Sequence, residues 1–163
     1  MRRQVLLQSR GPPVDTADMM RKEPSYPSDD PRRLRDLLAR SRELADRHTV
    51  PSVVAGLSAR EGDLLVPEVI DFVESALRVE DAVFRMTRER AVLFLTDVDR
   101  DQAQRILTRV LGDFRERFPA AGGPEIELGF FEVLPEARGL GLKEVLPAVF
   151  RDLSRDEPPP TSH

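Results

Sequence analysis

The stretch Arg78–Thr96, RVEDAVFRMTRERAVLFLT, constrains the fold more than any other. Ala82-Val83-Phe84 is a short apolar run, Thr87-Arg88-Glu89-Arg90 is a polar break, and Ala91-Val92-Leu93-Phe94-Leu95 is a second apolar run. Two apolar runs about a short polar break predict a β-hairpin. A two-stranded hairpin alone is barely stable in water, so further strands and a helical layer must come from the rest of the chain.

The flanking sequence supplies them in order. Residues 1–30 carry Pro12, Pro13, Pro24 and Pro27 with few large apolar residues, which predicts a flexible tail. Asp30 and Pro31 suit the N-cap and first turn of a helix whose stripe is Leu34, Leu37, Leu38, Leu44 and Ala45, ending near Arg47. Val50–Leu57 reads as a mostly buried strand with Pro51 at its start. After the turn Arg60-Glu61-Gly62, Asp63 is a candidate N-cap for a helix carrying Val66, Val69, Ile70, Val73, Ala76 and Leu77 and ending around Arg78 to Asp81.

Beyond the hairpin, Ala103, Ile106, Leu107, Val110, Leu111, Phe114 and Phe118 form one face of an amphipathic helix, with Arg105 and Arg109 on the other side. Ile126–Val133 predicts a strand, and Leu142–Leu153 a last helix with Val145, Leu146, Val149 and Phe150 turned inward. Residues 156–163, with Pro158-Pro159-Pro160, predict a second disordered tail. The domain is therefore expected over residues 31–155. It should be an α+β fold of the βαββαβ type, a sheet of four or more mostly antiparallel strands with helices packed on it.

Composition excludes several function classes. A net charge of −4 argues against a nucleic-acid polymer or an anionic membrane as partner. There is no cysteine, so no disulfide or thiolate chemistry, which suits the cytoplasm. His48 and His163 are far apart, so no histidine-based metal or catalytic cluster is expected. No apolar run approaches the ~20 residues of a membrane helix, and Val5-Leu6-Leu7 behind Arg2-Arg3 is too short for a signal-peptide core. A soluble, cytoplasmic protein is expected.

At the hairpin the chain resembles the GGDEF (diguanylate cyclase) family of bacterial signalling domains. Members read R-x-x-D, three residues, an arginine, one residue, then Gly-Gly-Asp/Glu-Glu-Phe on the hairpin turn, then an apolar strand ending near Leu-Pro-Asp. Here Arg78-Val79-Glu80-Asp81 supplies R-x-x-D, Arg85 stands at the next arginine, and Val92–Leu95 followed by Thr96-Asp97 matches the strand, without a gap. Gly62-Asp63, the helix opened by Pro31-Arg32-Arg33, and Gly129 in the Ile126–Val133 strand are also similar to the family. The resemblance covers residues 31–153.

The signature itself is replaced by Thr87-Arg88-Glu89-Arg90-Ala91. Thr87 and Arg88 put side chains where the family's glycine pair lets backbone approach a nucleotide. The family's Mg²⁺ is held by carboxylates from the signature and from the first strand. Only Glu89 remains, Arg90 puts a positive charge beside it, and Val53–Ser58 contains no acidic residue. The segment before Gly62-Asp63 is also shorter than the family's nucleotide-holding segment. The resemblance thus implies the fold without cyclase catalysis: no catalytic residue, no metal, no Mg²⁺.

What the resemblance retains is the family's inhibitory site, where R-x-x-D binds cyclic di-GMP. Arg78 and Asp81 occupy it, and the arginines that the family adds from the next helix fall on Arg105 and Arg109. An arginine fork pairs with guanine O6/N7 or phosphate and stacks on a base, and a carboxylate accepts from guanine N–H groups. The function expected is a non-catalytic cyclic di-GMP receptor that signals to a protein partner, with ligand-linked homodimerisation as a further possibility. The alternative is a ligand-independent interaction module that has lost both sites.

Plainer readings stand beside these. R-x-x-D occurs three times, at Arg33/Asp36, Arg60/Asp63 and Arg78/Asp81. With 23 Arg and 15 Asp in 163 residues, about two are expected by chance. Without its position before the hairpin, Arg78/Asp81 would be a surface pair worth a few tenths of a kcal/mol. Arg105 and Arg109 also suit a solvated helix face, and Glu89 a hairpin tip that holds no metal. Arg88 and Arg90 suit exposed turn charge, able to meet an acidic partner. Leu128–Phe131 faintly resembles the aromatic strand of an RNA-recognition module, but apolar core accounts for its two phenylalanines better.

Overall fold

A computed structural model describes residues 28–119, 123–135 and 141–150. The elements in chain order are α1 (Pro31–His48), β1 (Ser52–Ala59), α2 (Val66–Ala76), β2 (Ala82–Thr87), β3 (Arg90–Thr96), α3 (Arg100–Arg117), β4 (Ile126–Val133) and α4 (Leu142–Val149). The four strands form one sheet in the order β2-β3-β1-β4, every neighbouring pair antiparallel. The βαββαβ expectation holds. The segments predicted as tails lie outside the described residues, save Pro-free residues 28–30 at the start of α1.

β1 is the centre of the molecule. It is flanked by β3 and β4, and all eight of its residues are buried because helices cover both faces. Val53, Ala55 and Leu57 face α2 and α3, where Val69, Ile70, Val73, Leu107 and Phe114 pack. Val54, with Val92 and Phe94 of β3, faces Leu34 and Leu38 of α1 and Val145 and Val149 of α4. This alternation is the period-2 pattern of a strand buried on both sides.

On the second face two glycines are paired directly, Gly56 of β1 opposite Gly129 of β4. They make a cradle into which the end of α4 descends. A Cβ added at Gly129 would lie 2.0 Å from the Val149 carbonyl oxygen, and one at Gly56 2.6 Å from the same atom. The Phe150 ring lies beside Gly56, and the Arg90 guanidinium sits 5.7 Å from that ring's centre.

On the outer edge of β2, Arg85 is met by a residue from the expected tail. Asp29 N donates to Arg85 O (2.9 Å), and Arg85 N donates to Asp29 Oδ2 (2.8 Å). This satisfies both backbone groups of Arg85 on an edge that would otherwise be open there for unwanted pairing. The Arg85 side chain meanwhile pairs with Asp71 (2.8 Å) and Glu74 of α2, tying hairpin to helix.

Several local expectations need correction. α2 starts at Val66, not at a cap on Asp63. Pro67, which lacks an N–H and suits the first turn, fixes the start there. Asp63 instead accepts from Leu65 N (3.0 Å) in the preceding turn. α2 also ends at Ala76, leaving Arg78–Asp81 as a loop. β1 runs two residues later than expected, because Pro51 precedes it. Ile106 and Phe118 are 36% and 44% exposed, not core. Ile106 lies at the edge of the α3 stripe, and Phe118 follows the last helical turn, its ring tilted 41° to that of Phe114 with the centres 5.0 Å apart. The predicted end of α4 at Leu153 lies outside the described residues. Among the described residues, no helix is long and apolar enough to cross a membrane.

Candidate ligand-binding site

The loop from α2 to β2 and the loop from β3 to α3 meet at the end of the sheet away from the hairpin tip. Arg78–Asp81 belongs to the first. Asp81 N donates to Arg78 O (3.0 Å), closing a tight turn. The Asp81 side chain, only 5% exposed, then uses both its oxygens: Oδ1 accepts from Thr96 N (2.9 Å) and Oδ2 from Arg78 N (3.2 Å). Asp81 therefore locks the turn onto the end of β3. The Arg78 guanidinium donates to the Thr96 carbonyl oxygen and lies with Nε 3.6 Å from Asp81 Oδ2. The Arg78 side chain remains 53% exposed.

The second loop leads into α3 through a full capping box. Asp99 accepts from Gln102 N (2.8 Å), and Gln102 Oε1 accepts from Asp99 N (2.9 Å). This pins the first turn of α3 and hence the direction of its exposed face. Arg105 and Arg109, one turn apart, project from that face, and Arg105 Nε donates to Asp101 O at 3.4 Å.

The two loops and α3 enclose a shallow depression of about 570 Å³ lined by Arg78, Asp97, Val98, Gln102, Arg105, Ile106 and Arg109. A volume in this range suits a small organic ligand. Three of the four predicted ligand residues thus converge on one surface. Asp81 does not line it; its carboxylate faces the backbone. Asp97, Val98, Gln102 and Ile106 also line it, and none of them is among the residues predicted for the site. Asp97 belongs to the matched strand end, but the match gives it no ligand role, and a lone aspartate in a loop carries no periodic signal. The spacing of Ile106 predicts a core position.

The hairpin tip is built differently. Arg88 and Glu89 turn between Thr87 and Arg90, after a bulge at Met86. The Glu89 backbone is held at both ends, its N donating to Thr87 Oγ1 (3.3 Å) and its carbonyl accepting from Ala59 N (3.0 Å), and its side-chain Oε1 accepts from Gly62 N (3.4 Å). It braces the tip against the loop that follows β1. Arg90 is turned to the Phe150 ring, and Ala91 is buried. Among the described residues, no group of three or more His, Asp or Glu side chains is placed to hold a metal ion.

No protein-family model matches the chain, and no curated protein matches it in sequence. Solved structures do match. The GGDEF domain of FimX from Pseudomonas aeruginosa aligns with a TM-score of 0.61 at 16% identity, covering 80% of this chain and 96% of that one. The diguanylate cyclase SiaD from Pseudomonas aeruginosa, in complex with its activator SiaC, gives 0.58 at 18% identity over 94% of this chain and 67% of that one. PelD 156–455 from Pseudomonas aeruginosa PA14, in complex with c-di-GMP, gives 0.55 at 20% identity over 76% and 46%. The chain has the fold of GGDEF domains. At these identities the likeness establishes that fold and not an activity.

Proposed function

We propose that this domain is a receptor for cyclic di-GMP that does not synthesise it and that reports its occupancy to a protein partner. The observation that carries this reading is the convergence of Arg78, Arg105 and Arg109 on one depression. Three guanidinium groups on a concave surface offer forked donors to phosphate and to guanine O6/N7, and flat faces for stacking. The PelD complex with c-di-GMP supports the ligand class, and the SiaD complex with SiaC supports a protein partner. The non-catalytic half of the proposal is supported at the hairpin tip, where Glu89 is spent on bracing and Arg90 on Phe150.

Asp81 acts in this reading as a positioning residue, holding the turn that presents Arg78. Its full engagement also favours the alternative, a ligand-independent interaction module in which Arg78–Asp81 is only a structural turn. Calorimetry separates the two. Wild-type protein is expected to bind cyclic di-GMP, and Arg78→Ala, Arg105→Ala and Arg109→Ala are each expected to weaken binding by about 10- to 100-fold, the worth of one charge-assisted contact. Absence of wild-type heat at physiological ligand levels sinks the receptor reading and leaves the interaction module. Incubation with GTP and Mg²⁺ or Mn²⁺ is expected to yield no cyclic di-GMP; accumulation of product would overturn the non-catalytic half.

If occupied sites join two copies of the domain, as the sequence resemblance implies, sedimentation of the purified protein should shift towards dimer when cyclic di-GMP is added, and Arg105→Ala should abolish the shift.

A further inference from the structure

The depression that holds Arg78, Arg105 and Arg109 is lined by one carboxylate, Asp97. Its situation is the reverse of that of Asp81. Asp81 is buried with both oxygens occupied. Asp97 is exposed and makes no hydrogen bond or ion pair with any described residue. Its neighbour in sequence, Asp99, is consumed by the α3 cap, and Gln102 by the same capping box.

The backbone at Asp97 is also unusual. Its φ is 58°, in the left-handed region, one of two such non-glycine residues among those described. Aspartate tolerates this region better than most side chains, but glycine meets a turn there at no steric cost. The turn accounts for an aspartate at this position and leaves its carboxylate unused, facing the depression. The conformation swings Asp97 out of the β3 direction, at the point where the chain leaves Thr96 for α3. Thr96 is the residue that Asp81 and Arg78 both hold.

We propose that Asp97 is the residue that reads the guanine base, the role expected of Asp81 from the sequence. This rests on the cyclic di-GMP reading of the depression. Guanine presents N1–H and N2–H side by side on one edge, two donors matched to the two oxygens of a carboxylate. Adenine presents an N6 amino donor beside the N1 lone pair, so one carboxylate oxygen would face an acceptor. A site with a carboxylate committed to two donors rejects the analogue that lacks one, because the pair is then left unmatched. Arg78, Arg105 and Arg109 supply the charge for the phosphates, and Asp97 supplies the base preference.

The test is a set of calorimetric titrations with cyclic di-GMP and with cyclic di-AMP, on wild type, Asp97→Asn and Asp81→Asn, each with a thermal melt. Asparagine also tolerates positive φ, so Asp97→Asn should melt with the wild type. Wild type is expected to prefer cyclic di-GMP by about 100-fold, a modest figure because the depression is open to water. Asp97→Asn should lose about tenfold in cyclic di-GMP affinity and most of the preference, since its amide turns a donor towards a donor. Asp81→Asn should lower the melting temperature and keep the preference. If the wild type binds neither dinucleotide, the receptor reading falls and Asp97 loses its role with it. If the wild type binds cyclic di-GMP while Asp97→Asn binds equally or more tightly, or still rejects cyclic di-AMP as strongly, the receptor reading stands and the assignment of Asp97 is overturned.

Discussion

Gly129→Ala is expected to destabilise the domain by about 3 kcal/mol, at the upper end of overpacking costs, and to lower its melting temperature by about 10 °C. In most strands this change would be favourable, since alanine loses less backbone freedom on folding than glycine does. The sign is decided by what the new methyl group meets. Its nearest neighbour would be the Val149 carbonyl oxygen at 2.0 Å, with the Val149 carbonyl carbon at 2.6 Å and Cα at 3.0 Å. These are backbone atoms at the end of α4, so no side-chain rotation relieves the clash, and the helix end must lift. Gly56→Ala, at 2.6 Å from the same oxygen, is expected to act in the same direction and less strongly. Gly112→Ala is the matched control: this helical glycine has nothing within 4 Å of its added Cβ, and the substitution should stabilise by about 0.5–1 kcal/mol. Thermal melts of the three variants check the set. A Gly129→Ala protein as stable as wild type would mean that α4 does not seat on the glycine pair.

The glycine pair illustrates what a sequence exposes and what it conceals. The strand Ile126–Val133 was legible to the residue, because its apolar run is bounded by Pro124 and Leu134-Pro135. The cap of α1 was equally legible: Asp30 Oδ1 accepts from Arg32 N at 2.9 Å, followed by Pro31 in the first turn. Both are local signals, carried by neighbours in the chain. That Gly56 faces Gly129 across 73 positions, and that α4 ends above them, depends on register and on helix placement, which periodicity does not encode. The same holds for Asp29, which bonds Arg85 on the β2 edge from a segment whose composition reads as tail.

The candidate site divides along the same line. Arg105 and Arg109 could be placed on one exposed face because helical spacing is local, and Arg78 could be placed beside the hairpin because the loop is short. What could not be read was the assignment of the carboxylates. R-x-x-D treats Arg78 and Asp81 as equivalent partners, whereas the folded turn makes one of them surface and the other interior. Asp97 faces the depression only because β3 ends where it does and the next residue adopts positive φ. Glu89 shows the converse: a carboxylate retained at the signature position, which the structure places on Gly62 N as a brace.

Asp81→Ala should therefore behave as a folding variant, and Arg78→Ala as a binding variant. Removing the Asp81 carboxylate leaves Thr96 N and Arg78 N without their acceptor. An unsatisfied buried donor costs about 1–3 kcal/mol, and water can reach the partly exposed side of this turn, so about 2 kcal/mol is expected in total. Arg78 is half exposed, and both its contacts, the 3.6 Å pair with Asp81 and the bond to the Thr96 carbonyl oxygen, are open to water and together worth about 1 kcal/mol or less. Chemical denaturation should thus place Asp81→Ala well below wild type and Arg78→Ala close to it. Cyclic di-GMP affinity should fall in both, in Arg78→Ala through loss of a contact and in Asp81→Ala through loss of the geometry that presents it. The two mechanisms differ in their response to conditions. An osmolyte such as sucrose, which favours compact states, should restore part of the binding of Asp81→Ala and none of that of Arg78→Ala. Equal rescue of both, or a destabilised Arg78→Ala beside a stable Asp81→Ala, would show that the division of labour within the turn has been drawn the wrong way round.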